Sequence, residues 1–181
     1  MQIRRPILNY KDFYSYIYRI TENVTPLEID CGGLCDGSCC KGDDDTGMYL
    51  FPGEKVMYEN VPGWAKIRPC GLSLAGEKVD FFSCSGKCDR ALRPLACRIF
   101  PLFPFIDISG NLNIIMDPRG KRICPLAKTM DVSELDEKFV GTARYVFKLM
   151  IKNSLLYSYL FELSRFTEQY TNIFSFGSKE D

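Results

Sequence analysis

Cys31-Gly-Gly-Leu-Cys35-Asp-Gly-Ser-Cys39-Cys40 places four sulfurs in the spacing C-x3-C-x3-C-C. Metal capture needs thiolates within about 2.3 Å of one ion. Glycines between closely spaced cysteines let the backbone fold back so that several sulfurs converge, and Gly32, Gly33 and Gly37 supply that freedom here. Neighbouring side chains of an extended chain point to opposite sides, so Cys39 and Cys40 could serve two sites, or one could be a ligand and the other a supporting thiol. From Cys31 to Gly47 the chain carries five glycines, four cysteines and Asp43-Asp44-Asp45. That composition predicts a ligand-bearing loop rather than a long helix, and with it a fold that is irregular in one half.

A second cysteine set lies further on, at Cys84-Ser-Gly-Lys-Cys88, Cys97 and Cys124. It repeats the x3 spacing and the intervening glycine. Two tetrahedral four-thiolate sites, or one polynuclear cluster with the remaining sulfurs structural, both satisfy this count. Cys70, in Arg68-Pro69-Cys70-Gly71, is the odd one out and reads equally as a ligand or a buried thiol.

The chain holds nine cysteines and no histidine. An odd number cannot pair completely, and the polar residues Asn9, Lys11 and Asp12 stand where a signal peptide needs its apolar stretch. The expectation is a cytoplasmic chain whose thiols ligate metal; a secreted disulfide scaffold with one spare thiol is the alternative. The missing imidazole excludes Ser-His-Asp and Cys-His catalysis, H-E-x-x-H zinc hydrolases and His/Cys/Cys deaminases. Neither a Walker loop nor G-x-G-x-x-G is present. Lys+Arg and Asp+Glu both number 23, so no basic excess points to nucleic acid, and no apolar run approaches a bilayer span.

Across its 181 residues the sequence predicts one α+β domain with short strands and loops, an N-terminal helix and two long C-terminal helices. Tyr10, Phe13, Tyr14, Ile17 and Ile20 keep helical spacing from Asn9, with Asp12 in the first turn and Thr25-Pro26 as the stop. Met48 to Phe51 reads as a short strand and Glu54 to Glu59 as a short helix. Ile67 to Asp117 reads as strand and turn: one strand over Lys78–Cys84, and a hairpin in which Phe105–Ile108 and Leu112–Ile115 flank Ser109-Gly110-Asn111. Asp131 and Glu134 mark a cap-like start for a helix carrying Leu135, Phe139, Ala143, Val146, Phe147 and Met150. A break near Lys152-Asn153 separates it from a second helix faced by Leu156, Leu160, Leu163, Phe166 and Tyr170, and Gly177 to Asp181 reads as frayed. The cysteine core thus spans 31–126 and the helical hairpin 131–172, packed on the core as its roof. Asp43, Asp45 and Glu54 lack the EF-hand pattern for calcium, and Arg119, Lys121 and Arg122 read as a solvated turn.

One further stretch, Arg93-Pro94-Leu95-Ala96-Cys97-Arg98-Ile99-Phe100-Pro101, combines with the opening block and Cys124-Pro125. Together they resemble the bacterial cysteine-cluster family described as zinc- or iron-chelating, also called CxxCxxCC or YkgJ-like. The resemblance covers roughly Cys31 to Leu126. It implies ligand roles for Cys31, Cys35, Cys39, Cys40, Cys84, Cys88, Cys97 and Cys124, and places Arg93, Pro94, Arg98 and Pro101 in the signature. Arg93 and Arg98 can offset the charge of a thiolate centre or donate to its sulfurs. The x3 spacings are wider than the family's nominal pattern. Closed four-cysteine sites most commonly hold zinc, so the expected function is a metal-binding protein holding zinc (or iron) through these cysteines; flagellin lysine N-methylase resembles the same family, which implies an iron–sulfur enzyme or electron-transfer protein related to protein lysine N-methylation as the alternative. The expected partner is a metal ion, not nucleic acid or membrane.

Overall fold

A computed structural model describes residues 8–42, 46–86 and 88–176, with side chains described to residue 171. The architecture is mixed α+β, with an N-terminal helix and two long C-terminal helices. Asp43 to Asp45 and Gly177 to Asp181 lie outside the described residues.

Helix α1 runs Tyr10–Ile20 and starts where Asn9 caps it, its side-chain oxygen accepting from the Asp12 N–H at 3.3 Å. It ends at Ile20, ahead of Thr25-Pro26, because the Thr21 hydroxyl donates to the Ile17 and Tyr18 carbonyls at 2.8 and 3.2 Å. Tyr14, Ile17 and Tyr18 form its buried face.

Two antiparallel sheets follow. Strands β1 (Gly47–Tyr49), β2 (Ala65–Leu74) and β3 (Glu77–Cys84) order as β1-β3-β2, with Phe82 opposite both Met48 and Ile67. Strands β4 (Leu102–Ile106) and β5 (Leu112–Met116) form a separate hairpin. The hairpin pairs two residues earlier in the chain than Phe105–Ile108, since Asp107 closes the turn by accepting from the Asn111 N–H at 2.9 Å. A short helix, α2 (Gly32–Cys35), precedes β1, a 3-10 turn at Glu54–Tyr58 joins β1 to β2, and α3 (Leu95–Ile99) links the two sheets.

After α4 (Pro125–Thr129), the Asp131–Glu134 capping box closes only a 3-10 turn. Helix α5 (Glu137–Met150) begins later, where Asp136 accepts from the Phe139 N–H at 2.7 Å. Asn153 then starts α6 (Ser154–Phe176) by accepting from the Leu156 N–H at 3.1 Å. Both helices lie on the β4–β5 hairpin. Phe51 stands edge-on to Phe147 of α5 and Tyr159 of α6, joining them to the sheet half. The main core runs from α1 through Phe51, Leu95, Ile106 and Phe139 to Leu160. Burying such side chains stabilises by about 1.5–3 kcal/mol each. None of the described helices is long and apolar enough to cross a membrane.

Candidate metal centre

Cys31 immediately precedes α2, and Cys35 ends it. Asp36 and Gly37 then adopt left-handed conformations, φ 51° and 60°, which turn the chain back through a 3-10 turn at Ser38–Cys40. Ser38 Oγ donates to the Cys35 carbonyl at 2.7 Å and fixes this reversal. Cys39 and Cys40 emerge with their sulfurs 3.8 Å apart. The glycines and short spacings therefore produce one helical turn, a reversal and a second tight turn, all within the predicted loop.

The second set arrives from three other elements. Cys84 is the last residue of β3, Cys97 sits in α3, and Cys124 directly precedes α4. Gly86 takes φ 83°, and a side chain there would lie 2.6 Å from the Cys40 carbonyl oxygen. The turn after β3 can thus lie against the Cys39–Cys40 segment only because residue 86 has no Cβ. Arg93 Nε donates to Cys88 Sγ at 3.0 Å.

Two adjoining cavities gather these sulfurs. One, of about 90 Å³, is lined by Cys31, Cys35, Cys39, Cys40, Cys97 and Cys124 together with Arg90, Arg93 and Arg98. The other, of about 50 Å³, is lined by Cys39, Cys40, Cys84, Cys88 and Cys97 together with Arg93. All eight cysteines singled out from the sequence line one or both. Cys70 lines neither; it lies on β2, packed against the main core. As the side chains stand, no three His, Cys, Asp or Glu among the described residues surround a common point as a ready-made cage. Thiolate sulfur is nevertheless the donor type a thiophilic metal prefers.

Burial pushes the Cys97 and Cys31 thiols above their ordinary pKa. The hydrogen bond between Cys39 and Cys40, then burial, raises Cys39. The same bond, helped by Arg93 and opposed by burial, pulls Cys40 down to about 6. A thiophilic cation entering such a site releases protons from the raised thiols.

Among the described residues, Arg98 directs its hydrogen bonds to carbonyls rather than to sulfur. Its guanidinium donates to three carbonyls, of Arg93 at 2.7 Å, Tyr18 at 3.2 Å and Ala91 at 2.6 Å, and stacks over the Tyr18 ring at 4.1 Å. It therefore fastens the turn that carries Arg93 to α1. Glu54, fully buried, accepts from the Phe51 and Leu95 N–H groups at 2.9 and 2.6 Å and from Tyr18 Oη at 2.7 Å. This network sets the start of α3, and so Cys97, yet sequence reasoning missed it. One glutamate in a short helical run carries no spacing that marks it as buried.

Helices α5 and α6 pack on the β4–β5 hairpin, inside the 31–126 stretch, and none of their described residues lines the cysteine cavities. Arg119, read from sequence as part of a solvated turn, is forked onto Asp117 at 3.0 and 2.8 Å and lies over Phe103 at 5.0 Å. That pair forms part of the wall of a larger, aromatic cavity of about 290 Å³ that reaches α6 at Leu163, Phe166 and Tyr170. Comparison with known proteins gives no relative: no protein-family profile, no curated protein and no solved structure matches the chain.

Proposed function

We propose that this chain is a metal-binding protein that holds zinc through Cys31, Cys35, Cys39, Cys40, Cys84, Cys88, Cys97 and Cys124. The observation that carries the reading is the assembly of these sulfurs, from four separate segments, around two adjoining cavities. Buried thiols scattered for packing alone have no reason to collect in this way, whereas ligands must. Arg93, donating to Cys88, supplies the positive neighbour that a thiolate centre needs. The sequence resemblance to the zinc- or iron-chelating cysteine-cluster family supports the same reading. Zinc is preferred because closed all-cysteine sites are its commonest structural use. The balanced net charge supports a metal ion as partner over nucleic acid, and the free thiols support a reducing, cytoplasmic setting.

Elemental analysis of anaerobically purified protein tests the proposal. Stoichiometric zinc with no visible absorption is the expected result, and metal well below one equivalent per chain sinks it.

One observation favours a second reading, an iron–sulfur enzyme or electron-transfer protein, related by the same resemblance to protein lysine N-methylation. The 290 Å³ cavity shares Gly47, Met48 and Ile123 with the cavity of Cys84 and Cys88. A substrate held there would lie against the centre. Iron, acid-labile sulfide and broad visible absorption in the same preparation would establish this reading over zinc.

A further inference from the structure

We infer that the aromatic cavity of about 290 Å³ is a binding site for an uncharged, planar aromatic molecule of one or two fused rings that carries a hydrogen-bond acceptor. This goes beyond the metal centre. It names the class of ligand for the cavity on which the iron–sulfur reading draws, and it does not depend on what the cysteines bind.

Packed interiors leave few voids larger than a water molecule, and a cavity of this size is close to the lower end of small-ligand sites. Aromatic residues make up more than a third of its lining, against 13% of the whole chain. Tyr49, Phe81, Phe100, Phe166 and Tyr170 among them remain partly exposed, although complete burial of such rings is strongly favourable. Rings left uncovered around one concavity offer their faces to a flat partner. Two of them are seated where side chains are missing. A Cβ at Gly47 would stand 2.8 Å from the Phe81 ring, and one at Gly120 would stand 3.0 Å from the Phe100 ring, so each ring packs directly on backbone.

Asp117 and Arg119 set the polarity of the ligand, as the only charged residues among those described that line the cavity. Asp117 accepts from the Arg119 backbone N–H at 2.9 Å, from its Nε at 3.0 Å and from its Nη2 at 2.8 Å. The two charges cancel inside the wall. An ionic ligand would bring a third charge out of water with no counter-ion to meet it, a cost that apolar walls cannot offset. A guanidinium carries five N–H donors and no acceptor; two point at Asp117, and the others call for an acceptor. The Phe103 and Tyr49 rings, 5.0 and 6.0 Å from the guanidinium carbon, hold it in place.

The full-length chain, as purified, is titrated with 2-acetylnaphthalene, its anionic counterpart 2-naphthoate and its saturated counterpart 2-acetyldecalin, by calorimetry and by amide shifts in NMR. One equivalent of 2-acetylnaphthalene should bind, about tenfold or more tighter than either of the others, with shifts centred on 47–51, 99–104 and 163–170. No saturable binding, equal or tighter binding of the anion or of the saturated ketone, or shifts centred elsewhere overturns the inference.

The acceptor is tested by 2-ethylnaphthalene, which lacks it. Wild type should favour the ketone by about tenfold, the worth of one hydrogen bond to a charged group, and Asp117→Asn/Arg119→Met, which keeps the wall neutral, should abolish that preference. Equal affinity for the two ligands in wild type, or a preference that survives in a folded double variant, overturns the role of Arg119. Should the double variant fail to fold, the wild-type comparison decides. Metal is measured on the same preparation: its absence overturns the metal-binding reading alone, and failure of the metal-loaded chain to bind 2-acetylnaphthalene overturns this inference alone.

Discussion

Arg93 points its Nε at Cys88 Sγ from 3.0 Å, across a gap of five residues that the 3-10 turn at Arg90–Leu92 bends into contact. Removing a hydrogen bond to a metal ligand typically costs 10- to 100-fold in affinity. Arg93→Met should weaken metal binding by about that factor in a chelator competition while leaving the far-ultraviolet circular dichroism unchanged. Arg93→Lys should recover part of the loss, since an ammonium keeps the charge without the planar fork. Equal affinity in Arg93→Met and wild type would make the contact incidental.

Glu54 gives a pH dependence. Burial is the largest influence on its carboxyl and raises its pKa, against the hydrogen bonds from Leu95, Phe51 and Tyr18 that favour the charged form. An acid whose folded pKa exceeds its unfolded value binds its proton more tightly when folded, so stability from this group is present at low pH and falls as pH rises through the folded pKa. Glu54→Gln removes the titration. The stability of wild type relative to Glu54→Gln, read from urea midpoints, should therefore decline from the ordinary carboxylate range upward. A flat or rising difference would contradict this. Glu54→Ala, which strands the two buried N–H groups, should lose about 3 kcal/mol.

Gly86 tests the seating of the second cysteine turn. Alanine there combines φ 83° with a Cβ 2.6 Å from the Cys40 carbonyl oxygen. Gly86→Ala should cost roughly 2 kcal/mol or more and lower metal content. Gly63→Ala is the control, since a Cβ at residue 63 meets nothing within 4 Å. Similar melting temperatures for the two variants would argue against the close approach.

Metal removal should act on one half of the molecule. The core of α1, α5 and α6 is apolar and contains none of the eight cysteines. Chelation should speed hydrogen exchange across 31–42 and 84–92 while 139–163 stays protected, and most helical circular dichroism should remain. Uniform loss of protection would show that the helices depend on the metal. Cys70→Ser, on β2 and outside both cavities, should leave metal content at the wild-type value.

The long helices were legible because apolar periodicity and caps coincide, as at Asn9 with Asp12 and at Asn153. The first turn of α5 was not, since Asp131 and Glu134 form a genuine capping box that closes a shorter element. Strand β2 was not separated out of the strand-and-turn stretch from Ile67, because Pro69 and Gly71 interrupt its pattern; the structure absorbs them in a register shift between Pro69 and Ser73. That these eight cysteines belong together was legible from their spacing, and they line the two adjoining cavities. Which cavity each one lines was not, because spacing says nothing of how the turns at Asp36, Gly37 and Gly86 fold the chain. Arg98 shows the same limit: its charge was visible, but its three carbonyl partners come from α1 and the Ala91–Arg93 turn.

That triple anchorage also ties the two halves of the molecule together. Until α1 has docked and offered the Tyr18 carbonyl and ring to Arg98, the Ala91–Arg93 turn lacks its clasp, and Arg93 has no fixed bearing toward Cys88. Loosening α1 therefore frees the bearing of Arg93 toward Cys88, so that damage in the aromatic half reaches the sulfur half without touching a cysteine.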